Sequence, residues 1–110
     1  MNIGEKEKHQ EAFILATSEE YPPMIRFKYE SDDVHALPYA YMTGIEFDKS
    51  GIITIQFTTH KVVIKGRRME KLFGALVNHQ VISVRQHAIT DVRPPAGECC
   101  IDGLVIETNE

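Results

Sequence analysis

The sequence predicts an α+β fold, a mostly antiparallel β-meander with one amphipathic helix packed on one face. Between residues 24 and 66, short segments alternate apolar and polar side chains at period two and are separated by turn residues, which is typical of half-buried strands. Residues 68–79 instead repeat apolar side chains at helical spacing. With 110 residues, 43% of them hydrophobic and 25% charged, the chain fits a single globular domain over residues 1–110.

The first element, residues 5–17, fits either a helix or a strand. Its polar half is rich in glutamate and lysine, which have good helix propensity, and Gly4 precedes it as a helix cap. Its apolar half, residues 12–16, is too short for periodicity to separate a helix from a buried strand. An N-terminal helix is the favoured interpretation, and Pro22 and Pro23 break the chain after it.

The meander is predicted from alternation and from turn residues. Its five strands are expected over residues 24–29, 34–40, 41–47, 52–58 and 62–64. Pro38 lacks an N–H for a strand ladder, so the second strand is expected at a sheet edge, a strand start or a bulge, and Gly44 marks a bulge in the third. Residues 48–51, Asp-Lys-Ser-Gly, form the clearest hairpin turn, in which Gly51 accepts a left-handed conformation. Gly66 is expected to end the last of these strands.

Residues 68–79 form the predicted helix, with Asn78 and His79 at its C-terminal end. Its apolar stripe, assigned to core packing, consists of Met69, Leu72, Phe73, Leu76 and Val77. Gly74 weakens the helix and is expected to let it approach the sheet closely.

Two further strands complete the prediction. Residues 81–86 are expected to rejoin the same sheet; a crossover would make them parallel to residues 61–65, and an antiparallel pairing stays open. Residues 100–107 form a final strand, in which Asp102 and Gly103 make a bulge or turn. The last three residues are expected to fray.

Positive charge is concentrated in the middle of the chain. The formal net charge is −4, which argues against general binding to nucleic acid or to an anionic membrane. Residues 60–93 nevertheless carry seven bases and two acids, whereas residues 1–33 and 94–110 each have a net charge of −4. The favoured interpretation is internal complementarity, in which the acidic ends fold over the basic middle. The alternative is an anion-binding face.

Six basic side chains are the candidates for such a face. They are Lys61, Lys65, Arg67, Arg68, Lys71 and Arg85. Gly66, Arg67 and Arg68 precede the predicted helix, where main-chain N–H groups attract anions and two guanidinium groups supply paired donors. A strand-to-helix turn with solvated arginines is the simpler interpretation and is preferred.

The chain contains no motif from which a catalytic, cofactor or metal site is predicted. Cys99 and Cys100 are adjacent, which does not match the usual spacing of zinc ligands, and they are interpreted as packed thiols. A redox or metal role, or a cysteine nucleophile activated by a histidine, is the lesser alternative. The five histidines are scattered, and no phosphate-binding glycine loop or nucleophile elbow occurs.

Residues 86–92, Gln-His-Ala-Ile-Thr-Asp-Val, resemble the second signature segment of bacterial Sm-like RNA-binding proteins, where a histidine-alanine-isoleucine run follows a strand. The similarity covers seven residues. The helix predicted over residues 68–79 stands where an Sm barrel has strands, so the chain is not assigned to that family.

Three classes of function remain, in order of preference. The first is a small interaction module without catalysis, whose partner is another protein or a second copy paired through an exposed edge strand. The second is an anion- or nucleic-acid-binding domain, and the third is a cysteine-dependent enzyme. The short apolar runs, the polar start of the chain and its two cysteines predict a soluble cytoplasmic protein without a membrane partner.

Overall fold

The computed structural model describes residues 11–88 and 94–109, and in these residues it has a mixed α+β fold with eight strands and one α-helix. The strands are β1 (Phe13–Leu15), β2 (Met24–Lys28), β3 (Val34–Pro38), β4 (Met42–Phe47), β5 (Ile52–Phe57), β6 (His60–Arg67), β7 (Val81–Arg85) and β8 (Cys100–Thr108). Helix α1 (Glu70–Val77) connects β6 to β7. Within the described residues, no helix has the length and apolar character needed to cross a membrane.

The strands form two four-stranded sheets rather than the single meander expected from the sequence. The first sheet has the order β1-β7-β2-β3 and the second the order β4-β5-β6-β8. The chain changes sheet after β3, where Pro38 leads into a 3₁₀ turn over Tyr39–Tyr41. The N–H of Tyr39 donates to the carbonyl oxygen of Pro23 over 3.0 Å, which fixes this corner against the start of β2. The predominance of antiparallel pairs is confirmed, since β2 and β7 are the only parallel pair among the eight described strands.

The favoured helix over residues 5–17 and the predicted partner of residues 81–86 are wrong. Residues 13–15 form strand β1, the alternative left open for this segment, while residues 5–10 lie outside the described residues. Strand β7 pairs with β1 and β2 in the first sheet and not with β6. Phe13 lies opposite Val84 and is partly buried against the core, and Ala12 is buried, whereas Ile14 and Leu15 are 53% and 38% exposed. Pairing with β7 and burial of the first part of the run therefore outweigh the helix propensity of the residues before it.

The turn predictions within the second sheet are confirmed at Gly44 and Gly51. The ladder between β4 and β5 shifts register between Met42 and Gly44, and Gly51 has a φ of +89°. Asp48 stabilises this turn by accepting hydrogen bonds from the N–H and hydroxyl of Ser50, at 2.9 and 2.6 Å. The hydrogen bond from the Ser50 hydroxyl lowers the pKa of the Asp48 carboxyl the most, and the bond from the Ser50 N–H lowers it further.

Gly66 does not end β6, which continues to Arg67. Its N–H donates to the carbonyl oxygen of Gly51 over 3.2 Å, and its Cα faces the main chain of Cys100 and Ile101. A side chain has no room between these two strands, so a glycine is needed here for close approach rather than as a strand terminator.

Helix α1 is shorter than the predicted 68–79 and is bounded by two left-handed residues. Arg68 has a φ of +56° and His79 a φ of +57°, a conformation that few non-glycine residues adopt. Asn78 and His79 therefore do end the helix, as predicted. Arg68 turns the chain sharply between β6 and the helix.

The apolar stripe of the helix is confirmed in its centre but not at its end. Met69, Leu72 and Leu76 are fully buried in the core, whereas Val77 is 49% exposed. A Cβ on Gly74 would have no neighbour within 4 Å, so the close approach expected at this glycine does not occur. The helix contacts the sheets through Met69, its two central leucines and the partly buried Phe73, whose ring centroid lies 5.4 Å from that of Phe47 in β4.

One hydrophobic core joins the two sheets and the helix. Phe27 of β2 and Phe57 of β5 meet edge to face, with ring centroids 6.5 Å apart. Ile25 from the first sheet and Ile53 and Ile64 from the second are fully buried beside them. Ile25, Phe27, Ile53 and Phe57 lie on the apolar faces that period-two alternation gives for β2 and β5, whereas Ile64 belongs to an apolar run without alternation.

The final strand, β8, runs antiparallel to β6 along nearly its whole length, with the predicted bulge where Gly103 lies opposite Lys65. Residue 110 lies outside the described residues, and the expected fraying of the last three residues is wrong for Thr108, which belongs to β8, and for Asn109. The N–H of Asn109 donates to the carbonyl oxygen of Thr59, and its side-chain amide donates to that of Phe57, both over 2.9 Å. The end of β8 is thereby fixed to the β5–β6 turn.

Candidate functional site

The structure spreads the six basic candidates over three elements and two sheets. Lys61, Lys65 and Arg67 belong to β6, Arg68 follows it, Lys71 lies on α1 and Arg85 ends β7. Lys61 and Lys65 share the outer face of the second sheet, whereas Arg85 belongs to the first sheet. These side chains therefore do not form one compact cluster.

Two of the candidate arginines bind the main chain of the loop before β8. The guanidinium of Arg67 donates to the carbonyl oxygens of Pro94 and Pro95, at 2.8 and 3.5 Å. Nε of Arg68 donates to the carbonyl oxygen of Ala96 over 3.3 Å. Because carbonyl oxygens occupy these donors, the two arginines hold the loop against the β6–α1 turn.

Two other basic candidates lie beside acidic residues from the two ends of the chain. Arg85 forms an ion pair with Asp32 at 3.3 Å, and its Nε is buried without a hydrogen-bond partner in the described part of the chain. Lys61 lies directly opposite Glu107 in the β6–β8 ladder. These placements favour internal complementarity over a free basic face, and they leave Lys65 and Lys71 as exposed cations.

Sequence reasoning missed two further cations on the outer face of the first sheet. Arg26 and Lys28 of β2 lie beside Ser83 and Arg85 of β7 in the parallel ladder, on the face opposite the buried Ile25 and Phe27. The alternation of β2 shows that Arg26 and Lys28 share one face of the strand. That they lie beside Arg85 follows only from the pairing of β2 with β7.

A cleft of about 710 Å³ lies between β1, the start of α1 and the loop before β8. Its walls include Phe13, Leu15, Lys71, Glu98 and Cys99. Burial raises the pKa of the Cys99 thiol to about 12, with a smaller contribution from Cys100. A thiol with this pKa is protonated at neutral pH, which does not suit a nucleophile. Cys100 is buried on β8.

The four histidines of the described residues make separate contacts, and His9 lies outside these residues. The rings of His35 in the first sheet and His60 in the second are in contact, with centroids 5.0 Å apart. The ring of His79 stacks on that of Tyr39, with centroids 4.5 Å apart. His87 is buried and accepts a hydrogen bond at Nδ1 from the N–H of Ile101 over 3.3 Å. In residues 11–88 and 94–109, no group of three or more histidine, cysteine, aspartate or glutamate side chains is arranged to hold a metal ion.

The sheet edges offer a different kind of site. Each sheet has two edges, formed by β1 and β3 in the first and by β4 and β8 in the second. β1 has three residues, β3 ends in Pro38, and β4 carries the bulge before Gly44, and each of these features is a recognised protection of an edge against strand pairing. β8 has nine residues. From Leu104 to Thr108 it has neither a proline nor a bulge.

The N-terminal half of β8 is covered by the segment that follows β7. The N–H of His87 donates to the carbonyl oxygen of Ile101 over 2.9 Å, on the side of β8 away from β6. The side-chain amide of Gln86 donates to the carbonyl oxygen of Asp102 over 3.2 Å. No strand in the described part of the chain pairs with β8 on this side beyond Asp102.

The direction of each main-chain group in the rest of β8 follows from Asn109. Because the N–H of Asn109 points toward β6 and donates to the carbonyl oxygen of Thr59, the main-chain groups that point toward β6 recur at every second residue, through Glu107 and Val105 of β8. The N–H and C=O groups of the residues between them point away from β6. These residues, which define the free edge of β8, are Leu104, Ile106 and Thr108.

Comparison with protein-family models, with curated proteins and with solved structures gives no match to this chain.

Proposed function

We propose that this protein is a non-enzymatic interaction module that binds an extended segment of a partner protein as an added strand on the free edge of β8. The observation that supports it best is the row of N–H and C=O groups on Leu104, Ile106 and Thr108, which point away from β6 and have no strand partner in the described part of the chain. In strand addition, such groups supply the affinity and the alternating side chains supply the specificity.

The free edge of β8 is held in an extended conformation before any partner binds. Its other side pairs with β6 from Cys100 to Thr108, and Asn109 fixes its end. Leu104 is buried in the core and keeps the strand on the sheet. A preformed edge reduces the ordering cost of association, which is a large part of the free energy lost on binding.

The side chains of the free edge region give a mixed recognition surface. Val105 faces outward and is 51% exposed, while Ile106 faces the core and is partly buried. Glu107 is exposed beside Val105 on the outer side. A partner strand is therefore expected to place apolar side chains against Val105 and Ile106 and a polar or basic one beside Glu107.

The other two classes of function have less support. The raised pKa and partial burial of Cys99 do not suit a cysteine nucleophile. Arg67, Arg68 and Arg85 already have partners within the chain, so an anion would compete with these contacts. Binding to nucleic acid through the remaining cations would weaken steeply with added salt, and this dependence separates that class from strand addition.

Selection of peptides from a displayed random library tests the proposal. The baits are the unmodified chain and the variants Thr108→Pro and Thr108→Ala. Proline at position 108 removes an N–H that points away from β6, so the intramolecular ladder is kept while the free edge is blocked. Alanine at the same position removes the side chain and keeps the N–H.

Strand addition predicts peptides that bind the unmodified chain and the alanine variant but not the proline variant. In the complex, amide resonances of residues 104–108 should shift more than those of the β1 edge. Peptides that bind all three proteins equally, or that shift residues of another edge, would exclude the free edge of β8 as the binding site. Circular dichroism of the proline variant checks that the fold is retained.

A further inference from the structure

We infer that the strand received by the free edge of β8 is the same edge of a second copy of the chain, in an antiparallel pair centred on Ile106. The inference rests on the proposed function and identifies the partner. A two-fold arrangement presents the same patch from both copies, so the patch must be complementary to itself. The main-chain groups, the charges and the exposed apolar side chains of β8 meet this requirement in one register.

The main-chain groups determine that register. When Ile106 lies opposite its equivalent, Leu104 of each copy lies opposite Thr108 of the other, and all the free groups are used. The pairing makes roughly six interchain hydrogen bonds, because each bonded pair of an antiparallel ladder exchanges two. A shift toward the N-terminus would require Asp102, whose carbonyl oxygen already accepts from Gln86. A shift toward the C-terminus would place Glu107 opposite itself, and like charges opposite each other are unfavourable.

The side chains fit the same register. On the outer face, Val105 of each copy lies opposite Glu107 of the other, and Glu107 also lies beside Lys61 of its own chain. The pairing would cover Val105, which is 51% exposed in the single chain and lies beside Val63. On the inner face, the partly buried Ile106 would meet its equivalent and extend the hydrophobic core across the axis. The two second sheets would then form one continuous sheet.

Sedimentation equilibrium of the full chain tests the inference. Between about 5 µM and about 500 µM, the range suited to a small interface, the mass should rise from one chain to two. The register is tested by Val105→Asp and Val105→Lys, two changes at one exposed position that both copies should tolerate. Aspartate would face Glu107 of the second copy and should weaken dimerisation by about tenfold or more. Lysine would face the same carboxylate and should preserve or tighten the dimer.

Nuclear magnetic resonance locates the contact. In a sample that mixes labelled and unlabelled chains, an intermolecular contact is expected between Hα of Val105 and Hα of Glu107, which are close in a non-hydrogen-bonded pair. The amide of Ile106 should become protected from exchange as the concentration rises.

Three results would overturn the inference. A mass of one chain at every concentration would exclude the dimer, and the strand-addition function would still stand if library peptides bind at residues 104–108. Equal weakening by the aspartate and lysine variants would exclude this register. A dimer whose formation leaves the exchange of the Ile106 amide unchanged would place the contact on another surface.

Discussion

Gly66 is the position at which a single methyl group should harm this fold most. A Cβ built on Gly66 would lie 3.0 Å from Cα of Ile101 and 3.1 Å from the carbonyl carbon of Cys100, with the carbonyl oxygen of Cys100 closer still. All three atoms belong to the main chain of β8, so no side chain can rotate away. Relief requires that β6 and β8 move apart, which lengthens the ladder hydrogen bonds on both sides of the bulge.

We expect Gly66→Ala to lower the free energy of unfolding by about 3 kcal/mol, the upper part of the range for overpacking of a well-packed interior. For a chain of this size, that loss corresponds to a fall in Tm of roughly 12 °C. The assay is thermal and urea unfolding followed by circular dichroism at one protein concentration, because association would raise the apparent stability.

Gly74→Ala is the matched control for Gly66→Ala. A Cβ on Gly74 has open space around it, and alanine has the higher helix propensity, so this change should raise stability by up to about 1 kcal/mol. A loss of less than about 1 kcal/mol at Gly66, below the usual cost of overpacking, would refute the close packing of β6 against β8. A similar loss at both glycines would refute the open environment of Gly74.

Three further predictions concern single side chains. Tyr39→Phe should cost about 1–3 kcal/mol, because the buried hydroxyl accepts from the N–H of Val81 and donates to its carbonyl oxygen, at 2.9 and 2.8 Å. Burial raises the pKa of Tyr39 to about 12, so its contribution to stability is complete below the pKa of about 10 in the unfolded chain and is lost as pH rises from there to 12. Urea titrations at pH 8 and above pH 10 check this, and a Phe variant with the same pH dependence as the unmodified chain would contradict it. Asn109→Ala removes the 2.9 Å hydrogen bond to Phe57 and should cost about 1 kcal/mol, with faster exchange of the Glu107 amide; unchanged exchange would contradict the anchoring of β8. Cys99, whose pKa is raised to about 12, should react with iodoacetamide at pH 8 more slowly in the folded chain than in urea, and faster labelling of the folded chain would reopen the cysteine-enzyme class.

The elements that were predictable from the sequence are those whose signal is local. The alternation around Ile25 and Phe27 identified both β2 and its buried face, and the Asp-Lys-Ser-Gly turn identified the β4–β5 hairpin. Helix α1 was predictable because Leu72 and Leu76 repeat at helical spacing. In each case the residues that decide the structure are within a few positions of one another.

The partners of the strands were not predictable in the same way. Alternation shows which face of a strand is buried but not which strand lies beside it, so the division into two sheets and the position of β7 were missed. The run around Phe13 is too short for its period to identify a strand, and its conformation depends on pairing with Val84.

The candidate site was only partly predictable for the same reason. An exposed edge strand was expected as a partner surface, but its location depends on long-range pairing. Within residues 11–88 and 94–109, β6 occupies one side of β8, while Gln86 and His87 cover only the first residues of the other side and leave the free edge of β8. Likewise, the sequence could not reveal that Arg67 and Arg68 bind carbonyl oxygens of the loop before β8.

Amide hydrogen exchange in dilute solution, at about 5 µM, tests the free edge of β8 most directly. The amides of Leu104, Ile106 and Thr108 should exchange at least about 100-fold faster than those of Val105 and Glu107, because only the latter two donate to β6 in the single chain. Uniform protection from Leu104 to Thr108, or protection in the opposite alternation, would contradict both the free edge and the function proposed for it.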